Sequence, residues 1–449
     1  MGESANVFYS SDESKATLDV RVTLLPQQIE YARSKKDHLL NDLKKQLSVR
    51  SGVTVAYWLQ GSYKNHTLIR PVRKKEEFDI DAGVYLLFNA EKSGVQAADA
   101  KSALRDVLAG YCSRNNDAQL ADSKPNCERI CYRGNFHIDL PLYFFDQDGD
   151  VCRLATESSG WIDSDPKSLQ DWFEKTISGF SDQKKARLRR VIKYIKTWVS
   201  LKTVKLPSIA VTVFVAKYFH DYAQDDDAFI QSATSLANHL LSGGQISSPI
   251  NGDDLIGGDD EDETKLRNEL SNLRNFLTRA KDCNSASEAH PYWSAIFEHI
   301  YPPFAEIEEV HTVANLPALT SPPSVNIRIK DKKKGFIESS SAETIHGYIG
   351  ETLDFSVTNP DSYPAHAIVK WMVRNKGQEA SLANDLGHLD ILGVRDVCDE
   401  HCGYIGTHYM ECVVEANGIV LGAKSIKVKI ARVSRPLRTS PRRSYLVRK

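Results

Sequence analysis

The feature that most constrains this 449-residue chain is a pair of aspartates placed one residue apart in an otherwise apolar segment. In "FDIDAGVYL", residues 78–86, Asp79 and Asp81 alternate with Phe78 and Ile80. Successive residues of a strand face opposite sides, so both carboxylates share one face. Two like charges this close repel each other unless a cation lies between them. The segment therefore predicts a strand that presents a divalent-metal site, with a solvated strand edge as the alternative.

A third acid of the same kind follows in "FHIDLPLYF", where Asp139 stands between isoleucine and leucine. A carboxylate buried alone in such a strand costs several kcal/mol, so it requires a cation. Nucleotidyl transfer requires neutralisation of charge around the transferred phosphate, and two Mg²⁺ ions supply it in many enzymes. The predicted ligands of these two ions are Asp79, Asp81 and Asp139. The later run "DQDGD", with Asp148 and Asp150, indicates an ordinary hairpin turn instead.

Positive and hydroxyl-bearing residues that could contact a triphosphate occur in three places. Gly61 and Ser62 follow a predicted strand, where backbone N–H groups and a hydroxyl would face an anion. Lys196, near the end of a basic helix predicted at 183–201, suits a phosphate as a point charge. Ser208 is expected to cap the next helix, predicted at 206–223, and its hydroxyl could equally point at a phosphate.

The chain has the composition of a protein with several domains and without a membrane span. Apolar residues make up 41%, charged residues 26%, and the net charge is −2. No run of about 18 apolar residues and no secretory signal occur, so we expect a cytoplasmic location and no membrane partner. The predicted segments are a core with an N-terminal spine helix at 1–205, a helical lobe at 206–310, a linker at 311–324, an all-β sandwich at 325–432 and a basic tail at 433–449.

The eight cysteines, in a chain without a secretory signal, are expected to be reduced. Three of them, with two histidines, fall in "CDEHCGYIGTHYMEC", residues 398–412. The paired C-x2-C spacing of strong zinc motifs is absent. Strand alternation would also send these Cys and His side chains to different faces. The sequence therefore disfavours zinc in this run.

The combination "LQGSYKNHTLIRP…FDIDAGVYL…FHIDLPLYF…RRVIKYIKTW…LPSIAVTVFV" resembles the cyclic-oligonucleotide synthases of the cyclic GMP-AMP synthase and DncV-like group, the CD-NTases. The resemblance runs from about residue 20 to 305. It implies an α+β fold, with a polymerase-β-like nucleotidyltransferase core and an α-helical lobe. The stretch "VKWMVRNKGQEAS…GYIGTHYMECVVEANGIV" is similar to the AGS-C-type sensor domain of many bacterial synthases in antiphage CBASS systems.

The resemblance also implies roles for single residues. Asp79, Asp81 and Asp139 would ligate two Mg²⁺ ions, for which Mn²⁺ substitutes, and Asp139 would take the proton from the attacking ribose hydroxyl. Gln60, Gly61 and Ser62 would contact the donor triphosphate. Lys196 and Ser208 would hold its phosphates from the opposite wall.

The implied reaction joins ATP with GTP or another NTP into a purine-containing cyclic di- or trinucleotide and releases pyrophosphate. The product would act on a separate effector protein, and regulatory protein partners remain open. The zinc ribbon of the animal DNA sensor is not visible, so nucleic acid is not expected as the activator.

Three other functions are compatible with the residues. The first is a template-independent nucleotidyltransferase acting on RNA, because the same metal chemistry suits either acceptor. The second is a non-catalytic nucleotide sensor or scaffold, against which the presence of all three acids counts. The third is an assembly protein built around the β-sandwich, since a fold alone does not fix a function.

Overall fold

The structure, a computed structural model, describes residues 4–12, 15–146, 148–304, 322–331 and 335–432. The chain divides into two compact units, Met1–Pro302 and Pro303–Lys449. The predicted linker lies largely, and the predicted basic tail wholly, outside the described residues. In the part of the chain that is described, no helix is both long and apolar enough to cross a bilayer.

Helices form much of the first unit, and amphipathic sequence patterns account for the long ones. They are α1 Ala5–Phe8, α2 Leu18–Val22, α3 Pro26–Ser51, α4 Gly61–Lys64, α5 Ala97–Arg114, α6 Pro166–Ile177, α7 Asp182–Lys202, α8 Ser208–Tyr218, α9 Asp225–Leu241, α10 Asp260–Asp282 and α11 Ala286–Phe297, followed by a 3-10 turn at Glu298–Ile300. The helices predicted at 24–49, 99–111 and 183–201 are confirmed as α3, α5 and α7. The helix predicted at 206–223 is α8, which ends at Tyr218 before a polar segment.

A mixed sheet lies beside these helices in the first unit. Its strands are β1 Val55–Gln60, β2 Phe78–Leu86, β3 Ala118–Leu120, β4 Glu128–Tyr132, β5 Phe136–Leu140, β6 Leu142–Asp146, β7 Val151–Ala155 and β8 Trp161–Asp163. Their order is β3-β4-β5-β2-β6-β7-β8, with β1 paired to β2. Alternate residues of β2, from Phe78 to Leu86, pack into a core with leucines of α3 and α5. The opposite face of β2 is therefore the one that carries the aspartates.

The second unit is the predicted all-β sandwich. Its elements are β9 Val325–Asp331, β10 Gly335–Ser340, β11 Thr344–Tyr348, β12 Glu351–Val357, β13 Ile368–Arg374, α12 Gln378–Leu382, β14 Gly387–Gly393, β15 Val397–His401, β16 Gly406–Ala416 and β17 Ile419–Ala431, with a 3-10 turn at Pro360–Ser362. One sheet has the order β10-β9-β12-β15 and the other β11-β17-β16-β13-β14. Both contribute to a single core, in which the rings of Phe355 and Trp371 lie 6.0 Å apart.

Candidate active site

Three carboxylates lie on one face of two neighbouring strands. Strand β2 pairs in parallel with β5, and this register places Asp81 beside Asp139 and Asp79 beside His137. On the other face of β2, Phe78 is 4% exposed and belongs to the core. The period of two that the sequence shows thus separates an apolar face from an acidic one.

A cavity of about 530 Å³ is bounded by this acidic face and by α7 and α8. Its lining includes six of the eight residues that the sequence marks as site candidates: Gly61, Ser62, Asp79, Asp81, Lys196 and Ser208. Asp139 and Gln60 are not part of the lining. The lining also includes Glu76 and Glu77, from the charged loop before β2. The cavity is therefore polar on two walls and combines acids with a lysine.

Gly61 brings the backbone against the Asp81 carboxylate. Its φ is +60°, and a Cβ built there would lie 2.3 Å from Asp81 Oδ2. Only glycine accepts both the left-handed backbone and this close approach without strain.

Burial, then the charges of Asp79 and Asp139, raise the pKa of Asp81 to about 7. A carboxylate buried beside two others in this way is costly unless a cation accompanies it.

Lys196 is the buried cation of the cavity wall. It lies on α7, is 6% exposed, and its Nζ donates to the Thr67 carbonyl oxygen at 2.9 Å. Burial lowers the pKa of Lys196 to about 8, against the opposite effect of Asp79 and Asp81. An anionic ligand bound in the cavity, in addition to Asp79 and Asp81, would stabilise the charged form of Lys196.

Asp139 has a partner that the sequence analysis did not find. Arg129 on β4 lies opposite Asp139 in the antiparallel register, and its guanidinium binds both carboxylate oxygens, with Nη2 2.7 Å from Oδ2. Lys124 Nζ lies 3.8 Å from the same oxygen. The hydrogen bonds to Asp139 raise the pKa of Arg129. A fork of this kind fixes the orientation of the carboxylate as well as balancing its charge.

The signal for Arg129 exists in the sequence only as a basic residue ten positions before Asp139. Local spacing cannot pair the two, because their contact depends on the register of β4 against β5. A hairpin with its turn at Gly134 places the two residues opposite each other, so the sequence signal for this pair is the turn rather than the spacing.

Gln60 points along the sheet rather than into the cavity. Its Nε2 donates to the Tyr85 hydroxyl at 2.7 Å, and its amide lies against Gly83. The side chain is on the acidic face of β2, beside Asp81 in the register. Contact between Gln60 and a triphosphate would therefore require its amide to turn from Tyr85, and it stays a prediction.

The helix-capping role expected for Ser208 is wrong. The N-cap of α8 is Pro207, with an extended backbone, and Ser208 is the first helical residue. Proline fits this boundary because its fixed φ precedes the helix without a donor to satisfy. The Ser208 residue is exposed and lines the cavity, so its hydroxyl is available to a ligand there.

The donor set fits a divalent cation of the Mg²⁺ type. Such ions prefer carboxylate oxygens and keep several waters, and an open, acidic cavity provides both. Burial above all, and then repulsion by Asp79 and Asp139, raises the pKa of Asp81, and a cation beside the carboxylate would offset both. Asp79, Asp81 and Asp139 are thus the residues that would hold a metal.

Two family models match different parts of this chain. Residues 55–143 match the family "Cyclic GMP-AMP synthase DncV-like, nucleotidyltransferase domain", and residues 304–431 match the "Adenylyl/Guanylyl and SMODS C-terminal sensor domain". A cyclic GMP-AMP synthase of Escherichia albertii is 33% identical over 446 residues, which is 98% of each chain. A cyclic GMP-AMP synthase of Vibrio cholerae is 25% identical over 53% of this chain and 66% of its own.

Among solved structures, the crystal structure of Vibrio cholerae DncV cyclic AMP-GMP synthase is similar, with a TM-score of 0.57 at 18% identity. The match covers 68% of this chain and 98% of that one. At this identity the likeness shows a shared fold.

Proposed function

This chain belongs to the DncV-like family of cyclic oligonucleotide synthases, and we propose that its acidic cleft joins purine nucleoside triphosphates into a cyclic dinucleotide. The chain is a nucleotidyltransferase, and its products are cyclic nucleotides made with release of pyrophosphate. The observation that carries the site assignment is the register of β2 and β5. It aligns Asp81 with Asp139 and leaves Asp79 and Asp81 on the wall of a cavity that also contains Lys196.

We propose Asp79, Asp81 and Asp139 as the ligands of two Mg²⁺ ions. Bound there, the ions would neutralise charge on the attacking oxygen, the leaving oxygen and the transferred phosphate. Asp139 would accept the proton from the acceptor ribose hydroxyl at one of its carboxylate oxygens. Arg129 would keep those oxygens oriented, as its two hydrogen bonds do in the structure.

The triphosphate would lie between α4 and the facing ends of α7 and α8. Ser62 would donate its hydroxyl from the first wall, and Lys196 and Ser208 would contact phosphate oxygens from the second. Support comes from the cavity lining, which contains all three residues. Lys196 would then replace its hydrogen bond to a backbone carbonyl by a stronger bond to an anion.

The second unit matches a sensor family, and we propose that it responds to a trigger of antiphage defence. In that scheme ATP and GTP are the substrates and the cyclic product acts on a separate effector. The choice of ATP and GTP rests on the relative from Escherichia albertii, which is named for the mixed product.

The test is turnover of all four radiolabelled NTPs with Mg²⁺ by the purified chain, followed by phosphatase treatment and chromatography. We expect a phosphatase-resistant product from ATP and GTP together. Asp79→Asn with Asp81→Asn should abolish it. The matched control is Asp148→Asn with Asp150→Asn, which changes an exposed Asp-x-Asp pair in the β6–β7 turn and should keep full activity.

Two results would contradict the proposal. Product formation by a folded Asp79→Asn, Asp81→Asn variant would refute the metal assignment. Phosphatase-sensitive chains that lengthen on added RNA would instead indicate a tailing enzyme.

A further inference from the structure

The β-sandwich contains a cluster of metal-binding side chains outside the catalytic cleft. His388 and Asp390 lie two residues apart on β14, so they share a face, and Glu400 lies on β15. One ligand atom from each of the three lies within 4.8 Å of the others. Among the described residues of either unit, this is the one group of three or more His, Cys, Asp and Glu residues whose ligand atoms lie this close together.

The distances in the cluster are near those of a metal site. His388 Nε2 lies 2.8 Å from Glu400 Oε1 and 3.7 Å from Asp390 Oδ2. Two ligand atoms each about 2.1 Å from a tetrahedral ion lie roughly 3.4 Å apart. If the three side chains moved apart by less than about 1 Å, a cation could replace the proton that His388 Nε2 shares with Glu400.

A fourth donor lies behind the triad. Cys398 is two residues before Glu400 on the same face of β15, is 2% exposed, and its Sγ lies 3.9 Å from Asp390 Oδ2 and 4.0 Å from Glu400 Oε1. Burial raises the pKa of the Cys398 thiol to about 12, so the metal-free thiol keeps its proton. Imidazole and thiol together favour a transition-metal ion over Mg²⁺ or Ca²⁺.

The position of the cluster gives such an ion a structural task. Strand β14 ends the five-stranded sheet and β15 ends the four-stranded sheet. The turn between them is fixed by hydrogen bonds from Gly393 N to Asp396 Oδ2 and from Asp396 N to Gly393 O, at 2.8 and 3.0 Å. Ligands from both strands would join the two sheets at their open edge.

We propose that His388, Asp390 and Glu400, with Cys398 as the fourth donor, form a Zn²⁺ site that ties the two sheets of the sandwich together. The side chains of His388 and Asp390 are 46% and 48% exposed, so an ion can enter from solvent. Their partner Glu400 is 18% exposed and anchors the inner side. The sequence disfavours a zinc ion bound only by residues 398–412. The proposed site is a different one, because two of its ligands, His388 and Asp390, come from β14.

The test measures bound zinc in the full-length, tag-free chain. Samples carry Asp79→Asn and Asp81→Asn to remove the cleft ligands, are dialysed against Zn²⁺ and are counted by mass spectrometry. We expect one Zn²⁺ per chain, and loss of that ion on His388→Gln with Glu400→Gln. His401→Gln is the control, since His401 lies next to Glu400 on the opposite face of β15 and should retain the ion.

Equal zinc counts with and without the His388 and Glu400 changes would overturn the proposal. A second measurement does not depend on the folding of those variants. Co²⁺ bound to the full-length Asp79→Asn, Asp81→Asn chain should show tetrahedral bands and a thiolate charge-transfer band that Cys398→Ser removes. A spectrum identical to that of aqueous Co²⁺ would refute the site, and tetrahedral bands without charge transfer would exclude Cys398. None of these outcomes bears on nucleotide turnover, so failure here leaves the proposed catalysis untouched.

Discussion

Gly61→Ala should disable the cleft through one methyl group. The φ of +60° at Gly61 costs alanine about 1–2 kcal/mol, which the fold can absorb. The larger effect is steric, because the added Cβ would lie 2.3 Å from Asp81 Oδ2, whereas real Cβ contacts begin at 3.0–3.4 Å. The Asp81 carboxylate must therefore retreat by about 0.7–1.1 Å.

A retreat of that size displaces the Asp81 carboxylate from the position in which it would share a metal with Asp139. Misplacement of a reacting group by about 1 Å can cost roughly 100-fold in rate. We therefore expect kcat to fall about 100-fold in Gly61→Ala. Pyrophosphate release at saturating Mg²⁺ and NTP, measured below the melting temperature of every variant, gives this number.

The matched control is Gly94→Ala. Gly94 has a φ of +70°, and a Cβ there would have nothing within 4 Å. It therefore carries the backbone strain without the contact. Both variants should lose a similar few degrees of melting temperature, because both place a left-handed φ on alanine. A Gly61→Ala enzyme as active as Gly94→Ala would refute the argument that Asp81 is held by this contact.

Three further outcomes are expected in the cleft. Lys196→Met should lower kcat/KM by about 10²–10³-fold. The control is Lys193→Met, one turn earlier on α7, whose side chain binds Asp19 of α2 and Thr23 at its C-cap; it should lower the melting temperature and keep the rate. Equal losses of kcat/KM in the two variants would contradict the phosphate role of Lys196. Because the folded pKa of Asp81, about 7, lies above the ordinary 3.8, the metal-free fold loses stability as pH rises between these values. Asp81→Asn should therefore raise the melting temperature in EDTA above pH 7 and change it little near pH 4, and equal shifts at both would count against the pKa. Arg129→Lys keeps the positive charge and loses the paired hydrogen bonds to both Asp139 oxygens. Steady-state kinetics should therefore show kcat reduced about tenfold, with the KM for NTP unchanged. A changed KM would instead indicate that Arg129 contacts the nucleotide.

Sequence patterns were sufficient for the faces of the strands. The alternation around Asp79 and Asp81 identified the acidic face of β2, and the apolar flanks of Asp139 marked a second such strand. Alternation is a local property of the backbone, so it needs no knowledge of neighbouring strands. The sandwich was predictable for the same reason, from short alternating strands broken by turn residues.

What the sequence could not provide were contacts that depend on register. The fork from Arg129 to Asp139, the approach of Gly61 to Asp81 and the turn of Gln60 toward Tyr85 each join two strands or a strand and a helix. A shift of one residue in any pairing would send these side chains to the opposite face. Such contacts follow from tertiary packing rather than from composition or spacing.

The acids of the cleft, Asp79, Asp81 and Asp139, are not equally compensated by the cations of the protein. Asp139 has a complete partner in Arg129, whereas Asp81 is buried beside the other two acids, and burial above all raises its pKa to about 7. This imbalance destabilises the empty fold, and it is the reason that a divalent cation would bind the cleft favourably. The lowered pKa of Lys196 has the same origin in burial, and it would be reversed by a bound triphosphate. Metal and nucleotide would therefore each relieve a different strained charge, and their binding should be mutually supportive.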